Sequence, residues 1–194
     1  MLSSPYAAMI EPRAEPVKRM AIDLVVACIH TGGDFERVRR LRDAVGQHLA
    51  IPHTMVCLTN RPEWCEGPVF IDITEAGLPG RWVPMMLFEP QWRGRSKIIF
   101  LDLDIRVGGD LAPLARVPGE FAICADEGGG YDARVMVIGG GLAGFVWTRF
   151  EAQRDAMMGR HWTAALAIEE IYPGAPLLQR LVPRGFFGEV IKRE

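Results

Sequence analysis

The segment "KIIFLDLDIRV" (97–107) constrains this chain more than any other. From Ile98 to Leu101 it is apolar without alternation. A strand of that kind must be covered on both faces, which a mostly parallel sheet flanked by helices provides. The run then meets two carboxylates, Asp102 and Asp104. Two positions apart in an extended segment, they project from the same face. Like charges held close raise each other's pKa unless a cation intervenes. A divalent ion supplies that cation, and hard oxygen ligands favour Mg²⁺ or Mn²⁺ completed by water and phosphate oxygens. The alternative is a pair of turn or capping aspartates, and D-x-D alone does not decide between the two.

The rest of the pattern agrees with a sheet between helices. "AIDLVVACIH" (21–30) is a strand, and "FERVRRLRDAVGQHL" places Phe35, Val38, Leu41 and Val45 at helical spacing with arginines on the other face. "HTMVCLT" (53–59) and "PVFIDI" (68–73) are further strands. Strand, helix, strand in that order predicts parallel pairing. A short helix broken at Pro84 is expected over 81–90, and a turn capped by Asp110 over "LAPLARV". Strands are expected at 120–125 and 134–138, and helices over 142–158 and 161–172.

A competing signal is "VMVIGGGLAGFVW" (135–147), in which Gly139, Gly141 and Gly144 spell G-x-G-x-x-G after an apolar strand. A dinucleotide site places that motif at the opening of its domain, with an acidic residue ~20 positions on. Here five expected strands already precede it. The preferred reading is a glycine-rich turn between a strand and a packed helix.

Composition removes several classes. With 22 basic and 24 acidic side chains the formal charge is −2, so no overall polyanion-binding surface and no nucleic-acid partner is expected, which leaves room for a local basic patch. No apolar run approaches the ~18 to 20 residues of a membrane span. Cys28, Cys57, Cys65 and Cys124 have no C-x-x-C spacing and read as buried thiols in a reducing compartment. Residues 1–20 read as a loose tail of a cytoplasmic protein, and 21–194 as a single domain.

Taken together, "DLVVACIHTGGDFERVRRLRDAVG", "RWVPMMLFEP", "KIIFLDLDIRVGGDLAPL" and "FAICADEGGGYDARVMVIGGGLAGFVWTRF" resemble the GT-A glycosyltransferases of the glycogenin and bacterial galactosyltransferase type (family 8). The resemblance runs over about residues 21–150 and is strongest at the D-x-D strand followed by "GDLAPL". It implies a GT-A-like nucleotide-diphospho-sugar transferase fold whose C-terminal part is short for the family. It also implies a nucleotide-diphosphate sugar donor, commonly a uridine one, and hexose transfer to an unknown acceptor. Cys28, Ile29, His30, Thr31 and Leu103 would contact the nucleotide. Asp102 and Asp104 would hold Mn²⁺ or Mg²⁺ against the diphosphate, and Asp126 and Asp132 would line the sugar pocket as catalytic residues.

The chain departs from that pattern at several places. Val83-Pro84 stands where relatives have Asn-Lys, Asp132 where they have Asn, and Arg134 where they have a small residue; after residue 150 the only histidine is His161. A degenerate, non-catalytic nucleotide- or partner-binding protein of the same fold is therefore the chief alternative. A haloacid-dehalogenase-type phosphatase ranks below both, because Arg106 occupies the place of its Thr or Val. For single residues, His30, His48 and His53 are read as structural, Trp64, Trp82 and Trp92 as packing, and Arg93, Arg95 and Lys97 as a solvated loop.

Overall fold

The structure is a computed structural model that describes residues 24–62, 69–89, 97–139 and 142–193. The tail, Cys65, Trp64, Trp92, Arg93 and Arg95 lie outside these residues. Six strands form one sheet: β1 (Leu24–His30), β2 (Thr54–Thr59), β3 (Val69–Asp72), β4 (Lys97–Leu101), β6 (Phe121–Ala125) and β7 (Tyr131–Ile138), in the order β3-β2-β1-β4-β7-β6. β3, β2, β1 and β4 are parallel, and β7 is antiparallel to both β4 and β6. A separate antiparallel pair joins β5 (Ile105–Val107) to β8 (Ile191–Arg193).

The apolar run of β4 is explained by cover on both sides. Ile99 and Leu101 face a layer built from Val38, Leu41 and Val45 of helix α1 (Glu36–His48), Leu114 of α2 (Ala112–Ala115) and Leu178. Ile98 and Phe100 face the opposite layer, made of the 3₁₀ helix Gly80–Phe88, Val146 and Phe150 of α3 (Leu142–Ala152), and Ala167 and Ile168 of α5 (Ala164–Ile171). Trp82 is buried there and stacks on Phe150 with ring centres 5.7 Å apart. The four β4 side chains from Ile98 to Leu101 are completely buried. Each contributes about 1.5–3 kcal/mol relative to exposure, an upper estimate because the unfolded chain already hides some surface.

Several expected elements differ in detail. The helix expected over 142–158 is two, α3 and α4 (Arg154–Arg160), because Gln153 leaves the helical region at φ −137°, ψ 24°. The segment around Pro84 is one nine-residue 3₁₀ helix. β7 begins at Tyr131, which narrows the turn after β6 to residues 126–130. Asp110 does start α2, its Oδ1 accepting the Ala112 N–H at 2.8 Å. Lys97 is not in a solvated loop. It opens β4 and its ammonium donates to the carbonyls of Ala115 and Val117 at 3.1 and 2.7 Å, satisfying acceptors at the end of α2. Cys28, Cys57 and Cys124 are buried, and no helix among the described residues is long and apolar enough to cross a membrane.

Gly139, the first glycine of the run, is placed by register, whereas Gly140 and Gly141 lie outside the described residues. Ile138 pairs with Ile98 and Val135 with Leu101, so β7 ends at the amino end of β4. Gly139 lies there, where an added Cβ would stand 3.0 Å from the Glu120 Cα. The glycine at 139 thus serves close backbone approach at the end opposite the aspartates, not a ligand beyond the carboxyl ends of the parallel strands. Phe100→Ala would leave a cavity in the layer that holds Trp82 and Phe150. The expected loss is about 3–5 kcal/mol, read as a lower urea midpoint with unchanged slope.

Candidate functional site

The carboxyl ends of β1 and β4 point the same way, and the chain leaves both into one cavity of about 480 Å³. β1 delivers Ile29, His30 and Thr31; the end of β4 delivers Asp102, Leu103 and Asp104; Asp126 and Asp132 come from either side of the β6–β7 turn. The structure brings together every residue singled out for the site except Cys28. That thiol is fully buried in the α1 layer and is not among the cavity's lining residues, which corrects its assignment to nucleotide contact. Cys28 shares the α1 face with His30 but lies two positions deeper in β1, away from the carboxyl rim where His30 reaches the cavity.

The two aspartates are not extended as the strand argument supposes. β4 ends at Leu101, and Leu103–Asp104 form a turn. The Asp104 N–H donates to Asp102 Oδ1 at 2.9 Å, so the first carboxylate folds the second around itself. Burial, the largest influence, raises the Asp102 pKa above its ordinary 3.8, and the nearby Asp104 charge adds to it. Asp104 is more exposed and forms an ion pair with Arg37, a residue at the start of α1.

The other carboxylates are also occupied. Asp132 receives the Arg134 Nε–H at 2.9 and 3.1 Å and the Arg134 backbone N–H at 3.0 Å. This pairing holds the Arg134 pKa above its ordinary value. Asp126 Oδ1 accepts the Gly130 N–H at 2.8 Å and thereby closes the turn. His30 is buried, with Nδ1 3.3 Å from the Thr59 hydroxyl on the paired strand and its ring edge-on to Phe35. Burial depresses its pKa, against smaller raising effects from the Gly33 backbone and Asp34.

Arg37, Arg81, Arg134, Tyr131 and Thr163 also line the cavity; Arg134 stood out only as a departure from the family pattern, and none of the five was assigned to the site from sequence. For Arg37 a signal existed: the first turn of a helix that follows a parallel strand lies near that strand's carboxyl end. Tyr131 fixes the far wall. Its hydroxyl donates to the Tyr172 carbonyl at 3.0 Å and accepts the N–H groups of Gly174 and Ala175 at 2.8 and 2.7 Å, pinning the chain beyond α5. The start of α5, Thr163 to Ala165, forms part of the lining.

The donor set is compatible with a divalent ion. Four aspartates face three arginines on the cavity wall, so positive charge is short even before a diphosphate enters. Among the described residues no group of three or more His, Cys, Asp or Glu side chains is arranged to hold a metal. Asp102 and Asp104 would therefore supply two oxygens, with phosphate and water completing the shell. Among the described residues His30 is the one histidine on the cavity wall; His161 is paired with Glu170 instead.

No protein-family model matches the chain, and no curated protein matches it. Solved structures do. The glycosyltransferase GlyE of Streptococcus pneumoniae TIGR4 superposes with a TM-score of 0.62 at 18% identity, over 79% of this chain and 44% of GlyE. An active-site mutant of LgtC gives 0.57 at 13% identity over 79% and 71% of the two chains, and the bifunctional WbbM gives 0.57 at 15% over 84% and 40%. The fold is that of the GT-A glycosyltransferases. The chain thus spans less than half the length of GlyE and WbbM.

Two variants probe this geometry. Tyr131→Phe leaves two backbone N–H groups without their acceptor; a loss of about 1–3 kcal/mol is expected in urea unfolding. Asp102→Asn removes a half-buried charge. Because the folded pKa is raised, the wild type loses stability relative to the variant as pH rises from 3.8 through the folded value. The metal-free variant should be the more stable protein at neutral pH, and its advantage should shrink on acidification.

Proposed function

We propose that this chain is a glycosyltransferase that moves a hexose from a nucleotide-diphosphate sugar, uridine-linked, to an acceptor hydroxyl, with Mn²⁺ or Mg²⁺ at Asp102 and Asp104. The observation that carries the reading is the meeting of the D-x-D turn, the loop after β1 and Asp126 and Asp132 on one cavity wall at the carboxyl ends of parallel strands. Likeness to glycosyltransferase structures supports it, among them LgtC in complex with donor and acceptor sugar analogs.

In this reading Ile29, His30 and Thr31 flank the nucleoside. His30 stays neutral near pH 7 because burial depresses its pKa, so it hydrogen-bonds without adding charge. When bound, the divalent ion neutralises charge on the departing nucleotide diphosphate. Arg37 needs little energy to leave Asp104, since partly exposed ion pairs contribute little. Its guanidinium then becomes available to phosphate oxygens. Asp132 is held rigid by Arg134 and, with Asp126, accepts hydrogen bonds from sugar hydroxyls.

Calorimetric titration with UDP, with and without Mn²⁺, tests the proposal. Binding should require the metal and weaken about 100-fold or more in Asp102→Asn/Asp104→Asn, a difference of about 2.7 kcal/mol. UDP binding indifferent to both metal and substitution would refute the site. Metal-dependent binding without hydrolysis of any UDP-hexose would identify a non-catalytic protein of the same fold.

A further inference from the structure

The donor reading sets a sugar against Asp126 and Asp132, and an acceptor hydroxyl has to arrive beside that sugar. A second cavity, of about 470 Å³, meets the first at this place: the two share Asp126, Asp132 and Arg134 as a common wall. Other hollows touch the first cavity away from the sugar, one at Arg37 and Leu103 and another at Arg81.

The far wall of the second cavity is apolar. Buried Ile105 of β5, Val135 of β7 and Ile191 of β8 line it together with half-buried Phe187. Gln179 of α6 (Leu178–Leu181) is also part of the lining, but its amide is engaged by backbone: the side-chain oxygen accepts the Ala125 N–H and the NH₂ donates to the Ala125 carbonyl, both at 3.0 Å. Arg134 is engaged in turn by Asp132. The short helix α7 (Phe186–Glu189) is kinked where it meets the cavity, with Phe187 at ψ 113° and Gly188 at φ +116°, a left-handed value that favours glycine. An apolar hollow of this volume with a few polar groups in its lining is the usual build of a small-molecule site.

We propose that this cavity receives a compact apolar aglycone of the acceptor, whose hydroxyl-bearing head meets the donor sugar at the shared wall; its role as an acceptor subsite rests on the donor reading above. The chemistry of the wall selects that class. A purely saccharide group would bring hydroxyls against Ile105, Val135 and Ile191, where they would lose water without gaining partners. An apolar group loses nothing of that kind and gains by burial, and an aromatic one can pack on the Phe187 ring.

The test uses the full chain saturated with UDP and Mn²⁺ and titrates 4-methylumbelliferyl β-glucoside and β-galactoside calorimetrically beside the methyl glycosides of the same sugars. The aromatic glycosides should bind at least about tenfold more tightly. Phe187→Ala, which removes the aromatic wall, and Ile191→Phe, which fills part of the hollow, should each abolish most of that advantage while UDP affinity is unchanged. Circular dichroism verifies the fold of both variants. Phe187→Leu should recover part of the advantage, because apolar surface is kept. Equal affinity of aromatic and methyl glycosides in the wild type, binding of neither, or an advantage that survives both substitutions would overturn the subsite.

Should UDP itself fail to bind, the donor reading falls, and the same comparison without UDP still decides whether the cavity takes a compact apolar group. Octyl glycosides of the same sugars binding more tightly than the aromatic ones would assign an extended chain and overturn the compact group. A wild-type dimer in analytical ultracentrifugation that Phe187→Ala dissociates would assign the cavity to a second copy of this chain and likewise overturn it.

Discussion

The candidate site depends on the burial of β4 between two apolar layers. Ile98 and Phe100 lock into one layer, Ile99 and Leu101 into the other, and the parallel partner β1 and antiparallel partner β7 satisfy its backbone. Such a strand has no freedom to slip, since a one-residue shift would exchange the contents of both layers. The position of Asp102 is therefore set by packing of its four apolar predecessors. The carboxylate emerges where burial ends, which is why it is half-buried, carries a raised pKa and still lines a cavity.

Around that fixed point the cavity is organised by compensation of charge. Asp104 has Arg37, Asp132 has Arg134, and Asp126 accepts a backbone N–H. These partners keep four carboxylates tolerable in one region, and they differ in how readily they yield. The Asp132–Arg134 pair is local, doubly bonded and shielded, so it behaves as fixed framework. The Arg37–Asp104 pair is more exposed and joins two elements, so it is the one an incoming ion or diphosphate can displace. Rigidity at Asp132 and exchangeability at Asp104 suit the sugar and metal roles proposed for them, in which one group is oriented while another is bound and released.

Much of this was legible in particular residues. The unalternating run before Asp102 announced a strand covered twice, and the periodicity of Val38, Leu41 and Val45 announced the helix that covers it. The five strands expected before the glycine run argued against a dinucleotide domain, and register agrees by placing Gly139 at the amino end of β4. Cys28 was placed at the nucleotide by resemblance alone, whereas its side chain is sealed in the α1 layer. Lys97 was misread because a charged residue beside a loop resembles solvent-facing polarity until the carbonyls of Ala115 and Val117 are brought to it.

Sequence by itself determined the α/β class, the strand that leads into Asp102 and Asp104, and the local contacts spanning a few residues, such as Asp110 with Ala112 and Asp132 with Arg134. These follow from apolar periodicity and short-range hydrogen bonding, which act between neighbours in the chain. Tertiary structure alone decided that Asp104 meets Arg37 across 67 positions, that the Tyr131 hydroxyl anchors the chain beyond α5, and that three arginines line one cavity. Such contacts depend on which strand edges align and how layers close over them. Their electrostatics therefore exist only once hydrophobic packing has brought distant segments together.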